Sequence, residues 1–301
     1  MKRPFIVLGT VALFLLAFFN VGKLKNCFIA SPLAKIYVET FRDGSLVDEN
    51  HLVTHLDNGM KIIVNKHDAC VCWFVRLTGH WDSNEKEVLR KIVKKDFRVV
   101  EVGANFGVNT LFMADLVGKN GKVYAFEANP NISKYLIQSV GMNALNDRIT
   151  VFEMAASNEA YKGWMVYASL NLGGGYILPK GHKCQKNDLC APIEVNKLDN
   201  VITGEPIDLL KIDAEGAELW ILEGAKKLLA QPDILLMMEH CPSHLKRNNI
   251  EVDHLLSLLK QSGFAFVYSI GKKGALTPLA FEDLRADQNY DIVLAKHSLQ
   301  R

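Results

Sequence analysis

The chain has 301 residues, 49% of them apolar, which is enough for one large domain or two small ones. Its 35 Lys and Arg against 33 Asp and Glu give a net charge of +2, and no run of basic residues stands out. That balance argues against a nucleic-acid partner, which usually leaves a basic stripe.

Lys2 and Arg3 precede an apolar run from Phe5 to Phe19, extended to Gly22 before Lys23. About 18 such residues suffice for one membrane span, and Asn20-Val21-Gly22 is a poor cleavage site. Residues 1–25 are therefore expected to form an uncleaved single-pass anchor. Lys23, Lys25 and Lys35 nearly balance Lys2, Arg3 and the amino terminus, so charge leaves the side of the membrane open. Residues 36–96 read as a preface. His51 to Leu56 and Lys61 to Asn65 flank Asp57-Asn58-Gly59, a hairpin pattern, and Val71 to Leu77 reads as a further strand. Asp82 or Ser83 then caps a helix from Glu85 to Lys94, with Val88, Leu89, Ile92 and Val93 on its apolar face.

The main domain is placed at 97–297. Arg98 to Val102 reads as a short strand, followed by a turn on Gly103 and Gly107 and an apolar helix. Such a turn lets a ligand approach bare backbone, and the helix start offers N–H groups. A second strand, Lys122 to Phe126, ends in Glu127, an acid placed to accept ribose hydroxyls. The spacing Glu101-x-Gly103-x-Asn105-x-Gly107 misses the dinucleotide pattern G-x-G-x-x-G. Asn129-Pro130 launches a helix to about Asn143. The sequon Asn131-Ile132-Ser133 falls at its start and reads as capping chemistry, not as a glycan acceptor. A third strand runs from Ile149 to Met154, with added strands at Trp164 to Ala168 and Ile193 to Val195. Between the added strands, the polar, glycine-rich stretch from Asn171 to Ala191 reads as a loop, either a lid or acceptor-binding segment or a plain insertion.

Ile207 to Asp213 is a buried parallel strand that runs into acids, with a helix beginning near Ala217. Ligands sit beyond the carboxyl ends of such strands, so Asp213 and Glu215 should share a crevice with Gly103 and Glu127. Glu218 reads equally well as an acid favoured by the helix dipole. Ile234 to Met238 ends in Glu239-His240-Cys241-Pro242, again at a strand tip. After a helix from about Glu251 to Ser262, Ala265 to Ile270 and Asp291 to Ala295 read as an antiparallel hairpin closing the sheet. Six cysteines (Cys27, Cys70, Cys72, Cys184, Cys190 and Cys241) are scattered. Cys70-x-Cys72 is too tight for ordinary zinc spacing and no second close pair completes a site, so no metal is expected. Buried thiols are the preferred reading, and a Cys184–Cys190 bridge would need an oxidising compartment.

The glycine turn resembles the first motif of class I S-adenosylmethionine (AdoMet) methyltransferases. With Ala125-Phe126-Glu127-Ala128-Asn129-Pro130 and Lys211-Ile212-Asp213-Ala214-Glu215-Gly216-Ala217-Glu218, whose pattern is close to K-I-D-x-E-G-x-E, the chain resembles the FkbM family over about Asp82 to Lys296. The second strand departs slightly, ending in Phe126-Glu127-Ala128 where F-E-P is commoner. The resemblance implies a doubly wound, Rossmann-like α/β sheet, mostly parallel with an antiparallel closing strand, behind the anchor and the hairpin preface. It implies AdoMet as cofactor, bound by Glu101, Gly103, Asn105, Gly107 and Glu127. It also implies O-methylation of a hydroxyl on a sugar, glycan, lipid or small molecule. An alcohol needs a base as its proton leaves, and Asp213, then His240, are the candidates. Glu215 and Glu239 are candidates for substrate binding. Asp213, Glu239 and His240 also carry metal-ligand donors, a reading ranked below the base. The rivals are a membrane-tethered binding module without turnover and a protein or lipid methyltransferase. A base methyltransferase is disfavoured, because Asp213-Ala214-Glu215 stands where Asn/Asp-Pro-Pro-Tyr/Phe is expected.

Overall fold

The computed structural model describes Lys35 and residues 38–299. The expected anchor, residues 1–25, lies outside the described residues, and among those described no helix is long and apolar enough to cross a membrane. The preface begins with the expected hairpin, β1 (His51–His55) against β2 (Lys61–Asn65), turning at Gly59 with φ 84°. The next segment corrects the sequence reading: Val71–Thr78 is a helix, α1, where a strand was expected. The Asp68 carboxylate accepts the N–H groups of Cys70 and Cys72, both at 3.1 Å, which satisfies the start of a helix. Val71, Cys72 and Val75 then fall on one buried helical face, and Gly79, at φ 82°, ends it. Helix α2 (Ser83–Ile92) follows, its cap Asp82 accepting from the N–H of Asn84 (3.0 Å) and Glu85 (3.1 Å).

The main domain runs β3 (Arg98–Val102), α3 (Val108–Val117), β4 (Lys122–Phe126), α4 (Pro130–Met142) and β5 (Ile149–Phe152). Asn129 caps α4 through the N–H of Asn131. Next come β6 (Ala155–Ala156), β7 (Tyr161–Ala168), β8 (Asn171–Ile177), β9 (Leu189–Asn196) and a short α5 (Leu198–Val201). The remainder is β10 (Leu209–Ile212), α6 (Glu218–Glu223), α7 (Lys226–Leu229), β11 (Leu235–His240), α8 (Pro242–Arg247), α9 (Val252–Gln261), β12 (Phe266–Ile270), β13 (Leu276–Leu279) and β14 (Tyr290–Ala295). The central sheet has the order β13-β12-β14-β11-β10-β3-β4-β5, parallel from β11 to β5. β14 lies antiparallel between β11 and β12, so the two last apolar runs do pair as expected, with β13 an additional edge strand.

Period-two alternation sorts the sheet residues into two layers. Val99, Leu209, Met237 and Val293 face the preface with α3 and α4, while Val100, Leu210, Leu236 and Leu294 face the layer that holds α6 and α9. A second sheet, of order β6-β9-β7-β8, extends over the carboxyl end of the first. Its β8 and the start of β9 take up both ends of the loop expected from Asn171 to Ala191 and leave residues 178–188 as the connection. The glycines are strand residues because β8 passes where side chains do not fit: a Cβ on Gly173 would lie 1.9 Å from Asn105 Nδ2, and one on Gly175 2.7 Å from Met165 Cε. Cys184 and Cys190, for which buried thiols were the preferred reading, are joined by a disulfide that ties the connection after β8 to the start of β9.

Asp82 provides a test of the local argument. Asp82→Ala is expected to lower unfolding stability by about 1 kcal/mol, read from the urea midpoint, because two N–H groups of α2 lose their acceptor. An unchanged midpoint would contradict the assigned cap.

Candidate active site

The carboxyl ends of β3, β4, β10 and β11 converge on one cleft. At its floor, Gly103 has φ 86°, and a Cβ there would fall 1.9 Å from the Asp213 carbonyl oxygen. Only glycine allows that contact. Gly107 (φ 95°) abuts Leu136 in the same way and opens α3 without a side-chain cap. The first N–H groups of α3 have no acceptor within their own helix, and Val108 and Asn109 line the cleft. Asn105 holds the left-handed conformation at φ 53°. Its N–H donates to Glu127 Oε2 and that of Asn129 donates to Oε1, each at 2.7 Å. Burial pushes the Glu127 carboxyl up to about 6, against those two bonds.

Gly173 on β8 lies across the cleft and leaves two compartments. The larger, about 340 Å³, is polar and includes Glu101, Asn105, Lys211, Asp213, Glu215 and Glu239 in its wall. The smaller, about 60 Å³, is bounded by Glu127 and by apolar side chains such as Phe126, Met154 and Ile221. Gly103, Gly173 and Asp213 border both. The division sets an acid at the end of the second strand beside an apolar slot, with glycine backbone between.

Behind the larger compartment lies a buried charge cluster. Lys211, 2% exposed, places Nζ 3.0 Å from Glu85 Oε1 and 3.9 Å from Glu101 Oε1. Burial works against its charge, but Glu85, Asp213 and Glu101 outweigh it and raise its pKa. Glu101 also accepts from Thr110 Oγ1 at 2.5 Å, and burial holds its carboxyl at about 7. Glu218 turns to its own loop, accepting from the N–H of Ala214 (3.3 Å) and Gly216 (3.2 Å).

Asp213 is exposed at the cleft, its N–H bonded to the Val102 carbonyl at 3.0 Å. Glu215 and Glu239 flank a histidine that sequence reasoning passed over, His244 on α8, with oxygens 3.5 and 3.6 Å from its two ring nitrogens. His240, expected in the site, is not part of the wall. Strand alternation turns it to the opposite face from Glu239, where its Nε2–H donates to the Leu284 carbonyl at 2.7 Å and only 1% of the residue is exposed. That placement also removes His240 from the metal-ligand set, and among the described residues no three His, Cys, Asp or Glu side chains are grouped to hold a metal. Lys211 was legible: it opens the Lys-Ile-Asp pattern and shares a strand face with Asp213, two residues on. Glu85 and Trp81, which also line the cleft from the preface, were not, since the preface carries no motif of its own.

Fold and cleft together are those of a Rossmann-like, class I methyltransferase. Residues 101–266 match the model of the methyltransferase FkbM domain, and the chain belongs to that family. S-adenosyl-L-methionine is accordingly its cofactor. Among solved structures the chain is similar to a SAM-dependent methyltransferase from Aquifex aeolicus (17% identity, 70% of this chain and 87% of that one, TM-score 0.40). It is also similar to methyltransferase FkbM from Methylobacillus flagellatus KT (13% identity, 77% and 55%, TM-score 0.45). A third is a SAM-dependent O-methyltransferase from Thermotoga maritima (12% identity, 84% and 94%, TM-score 0.42). No curated protein matches the sequence significantly.

The raised Glu127 carboxyl predicts how cofactor affinity varies with pH. Above about 6 the group is ionised, as the ribose contact expected from the sequence requires; below it a proton competes. AdoMet affinity, measured by calorimetry, should fall by up to about ten-fold per pH unit below that point. Glu127→Gln should bind more weakly at pH 8 and lose this dependence. A wild-type affinity that is flat from pH 5 to 8 would contradict the assignment.

Proposed function

We propose that the protein transfers the methyl group of AdoMet to a hydroxyl oxygen of a sugar, glycan, lipid or small-molecule acceptor, with the apolar run from Phe5 to Phe19 as a single-pass membrane anchor. The observation that carries the reading is the convergence of Gly103, Glu127 and Asp213 on one cleft, each from a different parallel strand.

Bound AdoMet supplies an electrophilic methyl group on a sulfonium. The chain's own residues do the positioning. Glu127 accepts the ribose hydroxyls, and the backbone at Gly103, Asn105 and Gly107 admits the ligand beside the start of α3. Glu101, fixed by Thr110 and Lys211, faces the polar end of the cleft. Asp213 would take the acceptor's hydroxyl proton as the oxygen gained the methyl group and the S–CH3 bond broke, leaving the neutral thioether S-adenosylhomocysteine, and Glu215 and Glu239 would accept hydrogen bonds from neighbouring acceptor hydroxyls. Holding acceptor and donor in line is the main source of rate in such a site, with about 7 to 11 kcal/mol available in favourable cases. Exclusion of phosphate-rich partners follows from the acids in the cleft wall, whose field repels anions.

A screen with radiolabelled AdoMet against membrane, glycan and small-molecule fractions, read by mass spectrometry of the labelled product, tests this function. Label on an oxygen is the expected result, whereas label confined to nitrogen or carbon would refute O-methylation. With the acceptor in hand, Asp213→Asn should leave AdoMet affinity within about two-fold and reduce turnover by roughly 10²- to 10⁴-fold. Unchanged turnover would remove Asp213 as the base.

A further inference from the structure

Asp68 belongs to the preface, outside the residues that match the family, and is 1% exposed. Its Oδ1 accepts the N–H groups of Cys70 and Cys72 at the start of α1, and its Oδ2 accepts that of Leu172 on β8 at 3.0 Å. The adjacent Ala69 N–H donates to the Leu170 carbonyl at 2.9 Å, so β8 begins between two bonds to the preface. Leu172 passes the link on. Its carbonyl accepts from Asn129 Nδ2 at 3.3 Å, while the N–H of Asn129 and that of Asn105 fill the two oxygens of Glu127. Asn105 in turn packs its carboxamide against Gly173, the residue after Leu172. The path from Asp68 thus closes into a ring around the acid that faces the nucleoside slot.

Capping a helix does not require a buried carboxylate, since an exposed Ser or Asp serves equally. Among the described residues no cation pairs with Asp68, and burial raises its pKa against the backbone bonds it accepts. A buried charge answered only by N–H groups is costly, and the bond to Leu172 is what the cap alone leaves unexplained.

We propose that Asp68 is a positioning residue for the cofactor site: it fixes β8 so that Leu172 and Gly173 hold Glu127 and Asn105 in their binding geometry. The preface is then a working part of the site. This rests on AdoMet occupying the cleft as described above.

The test is AdoMet calorimetry on the full chain with Asp68→Asn. The amide keeps an oxygen for Cys70 and Cys72 but sets its NH2 against the Leu172 N–H. The expected result is an affinity about ten-fold weaker, the scale of one lost hydrogen bond, with α1 retained. Hydrogen exchange should quicken at the Leu172 and Gly173 amides, a change that loosening elsewhere would not produce. Asp43→Asn is the control. It breaks the bidentate pair with buried Arg76, also within the preface, and should cost stability yet leave AdoMet affinity within about two-fold. The proposal is overturned if Asp68→Asn binds AdoMet as tightly as wild type, or if Asp43→Asn loses as much. Should Asp68→Asn not fold, Gly173→Ala displaces the same strand from Asn105, and wild-type affinity in that variant overturns the proposal equally. A wild-type chain that does not bind AdoMet would sink the cofactor reading instead; unchanged exchange at Leu172 in Asp68→Asn would still decide against the tether.

Discussion

The site depends on one close approach of backbone to backbone. Gly103 Cα sits against the Asp213 carbonyl so tightly that the smallest side chain would overlap it, and the left-handed φ of 86° already restricts the position to glycine. The contact follows from the parallel register, in which Val102 pairs with Ile212 and the Asp213 N–H reaches the Val102 carbonyl. With the carbonyl locked there, the carboxylate of Asp213 is left at the cleft, two residues along the strand from Lys211. The fold thereby brings a bare turn and an acid together without a dedicated loop.

Charge is distributed around that contact by strand parity. Glu101 and Lys211 lie opposite one another on β3 and β10, on the face shared with Val99 and Leu209, one step nearer the carboxyl end. Replacing such a buried set with apolar side chains often costs nothing in stability, so the set is weak evidence for a stabilising role. Its position argues instead for a role in the cleft, where Lys211 stands between Asp213 and two further acids. Glu85 completes the cluster from α2 and also accepts from Asn109 Nδ2 at 2.9 Å, joining preface, β10 and α3.

The elements most legible in the sequence were those whose chemistry is local. Gly103 and Gly107 need positive φ, Asn129-Pro130 and Asp82 cap helices, and the Lys-Ile-Asp strand is a short, largely apolar segment that carries Lys211 and runs into acids. What was missed was decided at longer range. Val71 to Leu77 is apolar, aromatic and branched at intervals, which suits a strand; the Asp68 cap and burial on a helical face made it a helix. Gly173-Gly174-Gly175 resembles a loop until Asn105 and Met165 are seen to occupy the space side chains would take. His240 and His244 differ by four residues, but only alternation in β11 and the turn into α8 decide which one reaches the cleft. Nothing near Asp68 in the chain announces its partner, Leu172, which is 104 residues away.

The central claim is that a single crevice at the carboxyl edge of the sheet holds the nucleoside between Glu127 and the Gly103 turn. A crystal structure of the protein with S-adenosylhomocysteine, the demethylated cofactor, tests it most directly. The account predicts ribose hydroxyls on the Glu127 carboxylate, the base in the apolar slot beside Phe126, and the sulfur toward Asp213. Ligand bound on another face, or bound here with Glu127 making no contact to the ribose, would contradict it.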